Sequence, residues 1–142
     1  MTDQTLEVVP LGGLGEFGKH MMAFRSNGAI IVVDAGVMFP DEELLGVDII
    51  VPDITYLLEN KSEVQAIFLT HGHEDYIGAL PFVLPYLNVP VYASRFTMAL
   101  VKNKLEQHGV LEEAQLHVVK DKDEITIGCF SVHNADTAQS PS

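Results

Sequence analysis

Tryptophan is absent, cysteine occurs once, and basic residues are few in this chain of 142 residues. The single cysteine, Cys129, excludes an internal disulfide framework. A reducing, cytoplasmic setting is the matching expectation. Lys and Arg together number 8 against 20 Asp and Glu, a formal net charge of −12. Phosphate backbones are held by basic faces, so this balance argues against a general nucleic-acid-binding surface. It leaves room for a metal-assisted nuclease, because carboxylates hold cations. No apolar run reaches the roughly 18 residues of a membrane span, and the polar opening is unlike a signal peptide. No membrane partner is expected. What is present is a composition that is 47% hydrophobic, enough to build a core. The length suits one domain. Neither an internal repeat nor a domain linker is visible.

The order of segments reads as α/β. Leu6 to Pro10 is a short strand running into the glycine-rich stretch Gly12 to Gly18. Met21 to Arg25 and Ala29 to Asp34 read as two strands of a hairpin, because Asn27-Gly28 between them is a strong tight-turn signal. Ala35 to Pro52 is irregular, with Val47 to Val51 a possible short strand. Asp53 is placed to cap a helix through Glu59. Val64 to Thr70 reads as a buried strand, and a helix through about Leu87 follows, with a start or kink near Pro81. Val89 to Ala93 is a strand. Arg95 to Gln107 reads as a helix with Phe96, Ala99, Leu100 and Leu105 on its apolar face, stopped by Gly109. Leu116 to Lys120 and Ile125 to Val132 complete the strands.

His71-Gly72-His73-Glu74-Asp75 lies between a strand and a helix, at the carboxyl end where open α/β sheets place their sites. Two histidines separated by one glycine can converge on one cation. Imidazole suits Zn, Mn or Fe, and Asp75 adds a hard oxygen ligand. The bland alternative is a pair of loop histidines followed by acids. The Gly12 to Gly18 stretch lacks the spacing and the Lys-Ser/Thr ending of a phosphate-binding P-loop, and its glycines read as tight backbone near the site. Met21, Met22 and Met38 read as packing residues, His20, His108 and His117 as surface or structural ones, and Cys129 as non-catalytic.

Thr70-His71-Gly72-His73-Glu74-Asp75 resembles the HxHxDH signature of the metallo-β-lactamase superfamily. Pro10 to Gly18, Val33-Asp34-Ala35-Gly36, Met38 to Asp53 and Gly78-Ala79-Leu80-Pro81 resemble ribonuclease J more narrowly, a β-CASP-containing branch of that superfamily. The resemblance runs from about Leu6 to about Val132. It implies a metal-dependent RNA phosphodiester hydrolase holding Zn or Mn, with RNA as partner. By the same resemblance His71 and His73 would ligate a first metal and Asp75 a second, with Asp75 the catalytic aspartate. Glu74 would be no ligand, and Asp34 would support the site from its strand end.

The sequence departs from the pattern at two places. Tyr76 stands where the signature ends in histidine, and a phenol is a poor ligand near neutral pH. Gln139, before Ser140, stands where a Thr-His-Ser word is usual, and His133 lies six residues too early to replace it. The β-CASP and C-terminal domains of the family have no counterpart in these residues. The expected architecture is therefore the N-terminal half of an αββα sandwich, residues 1–142 forming a partial domain, inactive alone. Half a sandwich would leave a sheet face open, so self-association is expected. Two other readings stand beside this one: a degenerate, non-catalytic binding or interaction module, and a small-molecule hydrolase of the same superfamily.

Overall fold

The computed structural model describes residues 5–12, 20–36, 53–72, 74–120 and 123–133. Strands β1 (Glu7–Gly12), β2 (Met21–Ser26), β3 (Ala29–Val33), β4 (Val64–Phe68), β5 (Val91–Ala93) and β6 (Leu116–Val118) form one six-stranded sheet in sequence order. The first three strands are antiparallel neighbours, and β3 to β6 run parallel. Asn27 and Gly28 both adopt positive φ, 53° and 78°, which a tight hairpin turn with the right twist requires. Parallel neighbours need crossovers, and helices supply them. They are α1 (Thr55–Glu59), α2 (Glu74–Ile77) with α3 (Leu80–Val83), and α4 (Arg95–Gln107).

Alternation along the strands divides the core into two layers. Ile30, Val32, Ile67, Val91 and Ala93 face the helices and pack with Leu57, Leu80, Leu87, Met98, Val101 and Leu105. Ile31, Ala66 and Phe68 face the other way. They are met by a separate hairpin, β7 (Glu124–Ile127) and β8 (Phe130–His133), through Ile125, Ile127, Phe130 and Val132. The α/β class is as expected, with helices on one face of the sheet and a second β layer beginning on the other.

Several local expectations are corrected. Ile125 to Val132 is two strands, because Gly128 takes φ 57° and turns the chain. The helix expected through Leu87 does start afresh near Pro81, as α3 at Leu80, but it ends at Val83. Pro81 sits in the first turn of α3, where its missing N–H leaves no bond unmade. The Ala79 N–H donates instead across the chain to the Ala35 carbonyl, at 2.7 Å. Helix α1 starts at Thr55, with Ile54 at its N-cap. Asp53 still serves that end, its carboxylate accepting from the Thr55 N–H at 3.0 Å and from the Thr55 hydroxyl at 2.6 Å. Helix α4 has the expected bounds, capped by the Ser94 hydroxyl, but not the expected face. Its buried stripe is Thr97, Met98, Val101 and Leu105, while Phe96 and Leu100 are exposed. The strand expected over Val47 to Val51 lies outside the described residues.

Candidate metal centre

The parallel strands end together at one edge of the sheet, and the chain leaving β3 and β4 carries the polar groups. Asp34 follows β3 directly. It has φ 68°, a left-handed conformation that aspartate and asparagine tolerate better than most residues. Its N–H donates to the Phe68 carbonyl at 2.7 Å, which extends the β3–β4 ladder by one bond. Its side chain is buried, at 7% exposure, and turned toward the segment after β4. Asp34 Oδ1 accepts from the Thr70 N–H at 2.8 Å, and the Thr70 hydroxyl lies 3.0 and 2.8 Å from Oδ1 and Oδ2. Burial pushes the Asp34 carboxyl above its ordinary pKa. The Thr70 donors and the nearby His71 and His20 rings oppose that shift without cancelling it.

Thr70 continues the chain of contacts, its Oγ1 lying 2.9 Å from His71 Nδ1. The His71 ring meets the Tyr76 ring at a centroid distance of 4.5 Å and a tilt of 39°. Tyr76 in turn stacks on His20 at 4.6 Å and 5°. The backbone holds these segments in place: the Ala35 N–H donates to the Tyr76 carbonyl at 2.7 Å, and the Gly36 N–H to the His20 carbonyl at 2.9 Å. Asp34-Ala35-Gly36 thus ties the start of β2, the exit of β4 and helix α2 to one point.

Gly72 is favoured by packing. A Cβ there would lie 2.5 Å from Leu100 Cδ1 and 3.7 Å from the Thr97 Cα. The glycine between the two histidines therefore lets the loop lie against α4.

The expected ligands divide as follows. His71 stands in the loop after β4 with its Nδ1 engaged, which makes Nε2 the nitrogen available to a cation. His73 lies outside the described residues. Asp75 belongs to α2 by its backbone, and its side chain lies outside the description. Among the described residues, no group of three His, Cys, Asp or Glu side chains could hold a metal ion. The donors that are described fit a borderline cation: an imidazole oriented through one nitrogen, with a carboxylate behind it, is the usual support of a metal-bound histidine. Asp34 lies behind His71, joined to it through Thr70. Tyr76 is enclosed between two imidazole rings. The Gly13 to Gly18 stretch and Gln139 lie outside the described residues.

His20, read from the sequence as surface or structural, lies beside the site and stacks on Tyr76. The signal was in the hairpin register. Met22 pairs with Val33, so two further residues along each strand bring His20 opposite Ala35 and beside Asp34.

Comparison with known proteins agrees with this geometry. Residues 14–137 match the family described as the metallo-beta-lactamase superfamily. The chain is 43% identical over 125 residues to ribonuclease J 1 of Streptococcus pyogenes, covering 88% of this chain and 22% of that protein. It is 42% identical over 119 residues to ribonuclease J 2 of Staphylococcus aureus, covering 84% of this chain and 21% of that one. The chain thus spans about a fifth of the length of these curated relatives. Among solved structures, a protein of unknown function from Enterococcus faecalis superposes with a TM-score of 0.63 at 21% identity, over 92% of this chain and 37% of that one. The short form of human tRNase Z superposes with a TM-score of 0.51 at 18% identity, over 80% of this chain and 44% of that one. These likenesses are of fold. By family match and by fold, the chain belongs to the metallo-beta-lactamase superfamily.

Proposed function

We propose that this chain supplies the metal-holding part of a ribonuclease J-like, metal-dependent RNA phosphodiester hydrolase acting in the cytoplasm. The observation that carries the reading is the oriented His71 at the carboxyl end of β4, backed by Thr70 and Asp34, in a chain 43% identical to a ribonuclease J. His71 and His73 would hold a first Zn or Mn ion and Asp75 a second. Such an ion, when bound, lowers the pKa of its water and polarises a phosphoryl oxygen. This chain's own part is to aim His71, to bury a carboxylate behind it and to hold the loop against α4. Residues 1–142 are read as a partial domain, spanning about a fifth of the length of the ribonuclease J relatives. Alone they bind a metal weakly and leave RNA intact. The groove beside the β7–β8 hairpin supports self-association of this chain.

A second reading, a non-catalytic module of the same fold, is favoured by one observation. Tyr76, where the signature has an imidazole, stacks on His20 and meets the His71 ring at a tilt of 39°. Elemental analysis and calorimetric titration with Zn²⁺ and Mn²⁺, beside an RNA-cleavage assay, separate the two. The hydrolase reading expects substoichiometric binding of one divalent ion, abolished by His71→Ala with His73→Ala, and no cleavage by the 142-residue chain. Absence of any metal binding that depends on His71 would leave the non-catalytic module. Metal-dependent RNA hydrolysis lost in His71→Ala would show that the chain is active by itself.

A further inference from the structure

The contacts behind His71 have a direction. An ionised carboxylate only accepts hydrogen bonds, and a hydroxyl has one proton to give. Both Asp34 oxygens lie within reach of the Thr70 hydroxyl, at 3.0 and 2.8 Å, while the Thr70 N–H also points at Oδ1. With Asp34 ionised, the Thr70 hydroxyl proton goes to Asp34. The same oxygen, 2.9 Å from His71 Nδ1, then has only lone pairs to offer the imidazole. His71 must place its proton on Nδ1, and its lone pair falls on Nε2. We propose that Thr70 is a positioning residue: by donating to Asp34 and accepting from His71, its hydroxyl fixes His71 as the Nδ1–H tautomer, with Nε2 as its metal-binding nitrogen.

The stack supports the same end by a different contact. The hydrogen bond sets the ring in its plane, and Tyr76, backed by His20, closes one of its faces. Asp34 gives the relay its polarity. An asparagine there keeps an acceptor for the Thr70 N–H and puts an amide donor against the Thr70 oxygen. The hydroxyl would then turn its proton toward His71 Nδ1, and His71 would carry its own proton on Nε2.

The inference rests on the metal-site reading for its purpose, but its test does not need a metal. In ¹⁵N-labelled apo protein at about pH 8, long-range ¹H–¹⁵N correlations report which ring nitrogen of His71 is protonated. His71→Gln identifies the signal. The expected result is Nδ1–H in the wild type and in Thr70→Ser, and Nε2–H in Asp34→Asn. Thr70→Val should lose the strong Nδ1–H preference. Titration with Mn²⁺ or Zn²⁺ should show Thr70→Val and Asp34→Asn binding about tenfold more weakly, and Thr70→Ser close to wild type. Nε2–H in the wild type would overturn the proposal, as would a Thr70→Val protein with unchanged tautomer and affinity. Should Thr70→Val not fold, the wild-type and Asp34→Asn tautomers decide. A wild type that keeps Nδ1–H yet binds no metal would refute the hydrolase reading and leave the role of Thr70 standing.

Discussion

Asp34 combines a left-handed backbone with a buried carboxylate, and the two can be separated by substitution. Asparagine suits φ 68° and keeps the acceptor for the Thr70 N–H, whereas alanine keeps neither. Asp34→Ala should therefore lose about 2 kcal/mol of stability, from the left-handed penalty and the lost hydrogen bonds. Asp34→Asn should fold normally. Their pH dependence differs in a stated direction. The folded pKa of Asp34 is raised above the ordinary 3.8. The stability it contributes is full below the unfolded value and is lost as pH rises through the folded one. Asp34→Asn does not titrate, so its stability relative to wild type should improve from pH about 4 toward 7. Urea denaturation midpoints across that range check this, and a constant difference would contradict it. Tyr76 gives the other prediction at this scale. Tyr76→His restores an imidazole at the family position and should raise divalent-metal affinity in a Zn²⁺ or Mn²⁺ titration, without bringing RNA cleavage to this chain.

Among the elements, α4 shows where sequence periodicity misled. Phe96, Ala99, Leu100 and Leu105 are the bulkier apolar choice for a helix face, yet three of them are exposed and only Leu105 is buried. Thr97 and Met98 face the core instead, beside Val101. A threonine hydroxyl and a short α-helical stretch give two apolar stripes of similar strength, and docking against β5 and β6 selects between them. Local signals did better where the backbone itself was constrained, as at Asn27-Gly28 and Gly109, each with positive φ. Gly72 belongs with these, though its constraint is tertiary and could not be seen from spacing. Gly72→Ala should cost about 1 kcal/mol, since the crowding atom is the flexible end of Leu100 and can give way. Leu100→Ala in the same protein should recover most of that loss, so a double-mutant cycle by urea denaturation should show strong non-additivity. Additive effects would mean the two residues do not press on each other.

For the whole molecule, the half sandwich expected from the family resemblance put helices on one sheet face and left the other open; the β7–β8 hairpin on that second face was not foreseen. The helix face is closed by residues such as Leu57, Leu80, Leu87 and Met98, each almost fully buried. Among the described residues the opposite face is met by the β7–β8 hairpin, and beside it lies an open groove of about 400 Å³ lined by Leu6, Phe24, Ile31, Val33, Phe130 and Val132. Val8, on β1 two residues beyond Leu6, is half exposed. A contiguous apolar surface of this kind marks an interface. For the 142-residue chain in isolation, the proposed occupant is a second copy. Among the described residues β1 is an edge strand of the sheet beside the groove, so it can also offer backbone hydrogen bonds to that copy. Light scattering at micromolar concentration should report a dimer or larger species. Val8→Glu places a charge on that half-exposed strand position without touching the helix-side core. It should shift the chain toward monomer while leaving its urea midpoint nearly unchanged. A wild-type chain that is monomeric and well ordered under those conditions would remove the case for self-association.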